Sequence, residues 1–126
     1  MARQDYLLKQ TRDFGRFLAY LLGLAKKGEV AEAEKAIDHA LQADFGLRDD
    51  FSEKELSRFL AEGKIQPADL KIIGELLLKK AEFSPRLQKV FLQKALLVFE
   101  TYMAHTPVFD YEISLKTKTL KAALQD

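Results

Sequence analysis

Cysteine and tryptophan are absent from this 126-residue chain, and proline and glycine occur only three and six times. Without cysteine there is no disulfide staple, no thiolate metal site and no cysteine nucleophile, and the composition suits a reducing cytoplasm. No apolar run approaches the roughly 20 residues that cross a bilayer. The opening Met1-Ala2-Arg3-Gln4-Asp5 leads into an amphipathic segment containing Asp5 and Asp13. A secretory signal would show a short basic start and then a continuous apolar stretch, so none is expected. Net charge is also nearly missing, at +1. A dedicated nucleic-acid binder carries a strong basic excess, and that class is set aside.

What is present is a high apolar content, 48% of residues. That is enough for a core, and the length suits one domain spanning residues 1–126. Charge is unevenly spread. Residues 1–27 hold six basic and two acidic groups, residues 28–63 four and ten, and residues 64–126 ten and seven. An acidic middle packed between basic ends would explain the pattern.

The spacing of apolar residues is helical throughout, and strand signals are nearly missing. A first helix is expected from about Gln4 to Leu24. Its apolar residues, among them Phe14, Phe17, Tyr20, Leu21 and Leu24, spread over about 200° at 100° per residue. An ordinary surface helix needs a stripe of about 100°. This helix should therefore be covered on two sides, or offer one side to a partner chain. Lys26-Lys27-Gly28 ends it, since basic side chains suit the negative helix end and glycine supplies a left-handed stop.

A second helix covers about Glu29 to Asp44, with Ala33, Ala36, Ile37, Ala40 and Leu41 on its apolar face. Ser52 and Glu55 form a capping box for a third helix, flanked by a Phe51–Leu56 hydrophobic staple. Pro67 opens a fourth helix, with Leu70, Ile73, Leu77 and Ala81 inward. Ser84 should cap a fifth, with Pro85 in its first turn and Leu87, Val90, Phe91, Ala95, Val98, Phe99 and Tyr102 along it. Pro107 breaks that helix near His105, and a sixth runs from about Asp110 to Leu124. The expected class is all-α, with six helices whose short connections make neighbours antiparallel.

Phe17, Tyr20, Leu21 and Leu24, then Gly28, then Ala33, Ile37 and Ala40 resemble one tetratricopeptide repeat, a helix–turn–helix of about 34 residues. Two alanines flanking a large apolar residue let paired helices approach closely. The chain departs from the family by lacking tryptophan and by placing Leu21 where a small residue is preferred. A weaker match runs from Leu70 through Gly74 and Leu77 to Lys94-Ala95-Leu96-Leu97. The resemblance implies a right-handed stack of hairpins, and an ordinary six-helix bundle fits the same periodicity. The opening, from Gln4 to Leu8 and from Phe14 to Leu18, also resembles small helical bacterial proteins.

Reactive chemistry is thin. His39 and His105 are the only imidazoles and have no partner at metal-site spacing. The serines lie in no Gly-x-Ser-x-Gly frame, and there is no glycine-rich phosphate loop. Asp44-Phe45-Gly46 reads as a helix end. Asp49, Asp50 and Glu53 do not have calcium-loop spacing. No cofactor, metal or catalytic residue is expected.

Two functional classes follow. The first is a protein-interaction or scaffolding module that binds a protein or peptide partner or a second copy of itself. If helical hairpins stack as repeats, Leu18, Leu22 and Lys26 would face the concave groove. Tyr6, Phe109 and Tyr111, near the ends, are the aromatics best placed as contact residues. The second class is peripheral binding to a membrane or other anionic surface through the basic, aromatic-rich first helix.

Overall fold

The computed structural model describes residues 2–48 and 50–125, with side chains described from residue 13 onward. In chain order the α-helices are α1 (Ala2–Lys26), α2 (Val30–Phe45), α3 (Glu53–Ala61), α4 (Pro67–Phe83), α5 (Gln88–His105) and α6 (Tyr111–Leu124). A 3₁₀ turn, Pro85–Leu87, leads into α5. The described residues contain no strand, so the all-α class with six helices is met.

Local chemistry explains most of the boundaries. After α1, the Glu29 N–H donates to the Leu24 carbonyl at 2.9 Å and the Gly28 N–H to that of Ala25 at 3.0 Å. This paired closure needs a left-handed residue, and Gly28 takes φ +78°. Gly46 ends α2 in the same region, donating to the Gln42 carbonyl at 2.9 Å. At α3, the Ser52 hydroxyl accepts from the Glu55 N–H and the Glu55 carboxylate accepts from the Ser52 N–H, both at 3.0 Å. Phe51 and Leu56 are buried beside this box, as a staple requires. Asp110 caps α6 by accepting from the Ile113 N–H at 3.1 Å.

Ser84 departs from expectation. Its side chain caps nothing, and its buried hydroxyl has no hydrogen-bond partner in the protein. The preceding α4 runs directly into the 3₁₀ turn, so Ser84 sits inside a continuous bend (φ −128°, ψ 75°), where its oxygen cannot reach the N–H groups of a helix start.

Packing runs as a ladder: α1 against α2, α2 against α4, α4 against α5, and α5 against α6, with α3 laid on α5. The tight α4–α5 hairpin is the centre, and one apolar cluster draws on every helix. Its fully buried members include Leu21, Ile37, Leu56, Ile73, Phe99 and Ile113. Each such side chain contributes about 1.5–3 kcal/mol by leaving water. The ladder is compatible with a stack of hairpins and with a bundle.

Charge explains part of the seam between α2 and α4. The buried Lys80 of α4 donates to Asp38 of α2 at 2.8 Å and lies 3.8 Å from Glu34. Here the acidic middle of the chain does meet a basic group from its later part. No helix among the described residues is long and apolar enough to cross a membrane.

Candidate protein-binding surface

α1 is too apolar for the cover it receives. Leu21 and Leu24, three residues apart, point into the core and are buried. Phe14, Phe17 and Leu18 are only half-buried, while Tyr20 is 54% and Leu22 50% exposed. Over the described side chains, residues 13–26, cover on two sides is absent, and Tyr20 does not pack inward as expected. The cause is the ladder: α1 is its end member, and among the described residues only α2 packs along it substantially.

This placement leaves a groove on each flank of α1. The larger, of about 800 Å³, lies between α1 and α2 over part of α4. Its lining carries Phe14, Phe17, Tyr20 and Phe45, with Ala36, Ala40 and Ala43 of α2 and Ile72 and Leu76 of α4. In an antiparallel pair folded about Gly28, residue 20 comes opposite 36, residue 17 opposite 40, and residue 13 opposite 44. Asp13 and Asp44 therefore lie at the end of the paired stretch away from the turn, both exposed and both lining the groove. Among the described residues, His39 and the Tyr20 hydroxyl are the other ionisable groups that line it.

The second groove, of about 500 Å³, separates α1 from α4 and the α5–α6 corner. Phe14 and Leu18 form one wall, and Lys71, Ile72, Glu75 and Glu112 the other. Of the residues expected to face a partner, Leu18 borders this groove, and Leu22 and Lys26 continue its line one and two turns on as exposed side chains. Tyr111 stands apart at the start of α6, 69% exposed beside the equally open Val108 and Phe109. The side chain of Tyr6 lies outside the described residues, as does Asp49. The structure does not bring Leu18, Leu22 and Lys26 together with Tyr111 into one site.

The larger groove was missed by sequence reasoning, although its signals were present. Phe17 and Tyr20 read as core positions because periodicity does not say which part of a 200° arc is covered. Asp13 and Asp44 are 31 positions apart and carry no joint signal until the hairpin pairs them.

Beside the second groove, three ionisable groups form one cluster. The Asp110 carboxylate accepts from the Tyr102 hydroxyl at 2.7 Å and from the Lys71 ammonium at 3.0 Å, while also capping α6. A second ion pair, Lys116 with Glu75, ties α6 to α4. Burial works to raise the Asp110 pKa, but the hydrogen bonds from Tyr102, Lys71 and the Ile113 N–H together hold the carboxyl below its usual value. Burial works to lower the Lys71 pKa, and the bond and charge of Asp110 outweigh it, so the ammonium is raised. Burial, then the bond to Asp110, pushes the Tyr102 hydroxyl up.

A pH test follows from these directions. A depressed carboxyl pKa gives stability that is complete above the unfolded value, near 4, and is lost as pH falls through the folded one. Raised lysine and tyrosine pKa values give stability that is complete below about 10 and is lost as pH rises beyond it. Asp110→Asn keeps a competent cap but removes the charge. At pH 7 it should cost about 1–2 kcal/mol. Thermal melts should show the gap to the natural chain narrowing both below pH 4 and above pH 10; a gap constant with pH would refute the assignment.

Further buried basic chemistry lies at α3. The Lys94 ammonium donates to the Phe51 carbonyl at 2.7 Å and sits 4.2 Å from the Phe51 ring centre and 5.1 Å from that of Phe91. Burial lowers its pKa against the partial pull of Glu53 and Glu55. These contacts fill its donors with structural partners. Among the described residues no cluster of His, Asp and Glu is arranged to hold a metal ion. No family model matches the chain, and comparison with curated proteins and with solved structures returns no match.

Proposed function

We propose that this protein is a cytoplasmic protein-interaction module that performs no catalysis and presents the open flanks of α1 to a protein or peptide partner. One observation carries the reading. From residue 13 onward the apolar arc of α1 is covered along a single stripe, and Tyr20, Leu22 and half of each of Phe14, Phe17 and Leu18 remain outside. Singly exposed apolar residues are ordinary, but a contiguous apolar helix flank bordered by grooves marks a docking surface. The resemblance to tetratricopeptide repeats adds the expectation that hairpins stack and offer a concave peptide-binding face.

The test is site-specific photo-crosslinking in the expressing cell. A photoreactive residue replacing Tyr20 or Leu22 should give adducts of defined mass. The same residue replacing Lys35, on the exposed face of α2, should give none. If neither α1 position yields an adduct, the reading falls.

The exposed Leu22, one turn from the exposed Lys26, supports a second reading in which α1 lies on an anionic membrane surface. Flotation with anionic liposomes at low salt separates the two. Binding that is lost in Leu22→Glu would favour the membrane, and failure to float would remove it.

A further inference from the structure

We infer that the pocket between α2 and the α4–α5 bend binds a free α-amino acid with an apolar side chain. The inference does not rest on the interaction-module reading, since it concerns other residues and a small ligand.

The bend builds the site. Lys80 and Ser84 lie four residues apart at the end of α4, so they share a face and stand about 6 Å apart along the axis. The chain then turns through Pro85–Leu87, which sets Arg86 and Leu87 beside them. Glu34 and Asp38, also four apart, line the same pocket from α2. Its volume of about 550 Å³ lies within the range of small-molecule sites.

The polar groups of this lining are incompletely matched within the protein. Ser84 is only 7% exposed, and its hydroxyl is buried without a hydrogen-bond partner. Folded proteins seldom leave such a group unmet. Glu34 and Asp38 share a single ammonium, that of Lys80, at 3.8 and 2.8 Å. Arg86 is exposed and forms no ion pair among the described residues. Of the charged groups next to these in sequence, Lys35 pairs with Glu32 and Lys79 with Glu82, and Lys89 does not line the pocket. One carboxylate, one guanidinium and one hydroxyl are therefore left over.

A ligand that completes this set carries one ammonium and one carboxylate. The ammonium meets the Glu34–Asp38 pair, and the carboxylate meets the planar fork of Arg86 and the Ser84 hydroxyl. An α-amino acid holds both charges on one carbon, which suits protein groups one helical turn apart. A phosphate dianion would be repelled by Glu34 and Asp38, and a simple amine would leave Arg86 and Ser84 unmet. The serine hydroxyl turns on one side-chain torsion, so it reorients toward a ligand without backbone movement. Leu87, 51% exposed, and Phe91 give the ligand side chain an apolar wall, which selects against charge there.

The experiment titrates L-leucine and L-phenylalanine into the full chain labelled with nitrogen-15 and follows the amide resonances. Those of Glu34, Asp38, Ser84, Arg86 and Leu87 should shift and saturate. Arg86→Gln and Glu34→Gln should each weaken binding about tenfold. Arg86 is exposed and Glu34 half-buried, and the Lys80–Asp38 pair survives both changes, so these variants should remain folded. Phenylalaninamide lacks the carboxylate charge and N-acetylphenylalanine the ammonium. Each should bind about tenfold more weakly or worse; they also stand for the two ends of a peptide chain. Ser84→Ala should hold or raise the thermal midpoint, because it removes a buried unmet hydroxyl, while affinity falls.

Absence of saturable shifts with both amino acids would overturn the inference. Equal affinity for either blocked analogue would do so by making a chain end the ligand. Unchanged affinity in Arg86→Gln would remove the proposed carboxylate contact. A midpoint lowered by Ser84→Ala would show that the hydroxyl already has a partner, such as a buried water. None of these results bears on the photo-crosslinks at Tyr20 and Leu22, which judge the interaction module alone.

Discussion

Gly74→Ala should destabilise the protein by about 1–3 kcal/mol, the range typical of overfilling a packed core. The expected sign is opposite to helix propensity, which favours alanine over glycine by about 1 kcal/mol inside a helix. The reason is the ring of Phe99. A Cβ built on residue 74 would fall 2.7 Å from the Phe99 Cδ1 and 2.8 Å from its Cζ, distances that real contacts do not tolerate. Phe99 is fully buried at the centre of the α4–α5 hairpin and has nowhere to withdraw. Either the ring leaves its rotamer or the two helices part, and both weaken the tightest contact in the fold.

The control is the same exchange elsewhere. A Cβ on Gly23 of α1 meets nothing within 4 Å, so Gly23→Ala should gain up to about 1 kcal/mol from propensity alone. Urea denaturation of the two variants should shift the midpoint in opposite directions. The double variant Gly74→Ala/Phe99→Leu should recover part of the loss. Equal shifts at the two glycines would mean that the α4–α5 contact is looser than described.

Lys94→Met should cost about 1–3 kcal/mol, and Lys94→Ala more. Methionine keeps the length of the stem but leaves the Phe51 carbonyl without its buried donor, a loss of about 1–3 kcal/mol. The two aromatic contacts add about 0.5–1 kcal/mol each. Against this stands the recovered cost of burying an ammonium that has no carboxylate in contact, which is why a larger effect is not expected. The change has a local signature. α3 is anchored to the rest of the chain through α5, and Lys94 of α5 grips the residue just before the α3 cap. Amides of α3 should exchange with solvent faster in Lys94→Met, while those of α4 change little. Unchanged exchange in α3 would show that Phe51 and Leu56 hold it without the lysine.

Both effects lie where local pattern and tertiary contact diverge. The weaker repeat resemblance passes through Gly74 and the Lys94–Leu97 run, and the structure explains these two residues without it. Gly74 makes room for a ring 25 positions away, and Lys94 reaches a carbonyl 43 positions away. Neither pairing is visible in a helical periodicity, which relates residues three and four apart. The same limit hid the larger groove: its walls come from α1 and α2, and only folding about Gly28 aligns Asp13 with Asp44.

The misread positions have two causes, the bend before the fifth helix and the end position of the first. Leu87 and Val90, apolar positions expected along the fifth helix, are both exposed. The 3₁₀ turn at Pro85–Leu87 starts that helix later than its proline suggests. Tyr20 was expected to pack, but the end position of α1 in the ladder leaves it open. Ser84 carries the residue type of a cap at a place where the bend denies it one.

By itself the sequence determined the helices, their number and most of their ends. Those features depend on bonds between residues at most six apart, as at Gly28, Ser52–Glu55, Pro67 and Asp110. Tertiary structure alone decided which apolar surface is covered, which lysines are buried and which carboxylates they meet. Such outcomes depend on residues tens of positions apart meeting in space, and a pattern that repeats every 3.6 residues holds no record of which neighbour arrives.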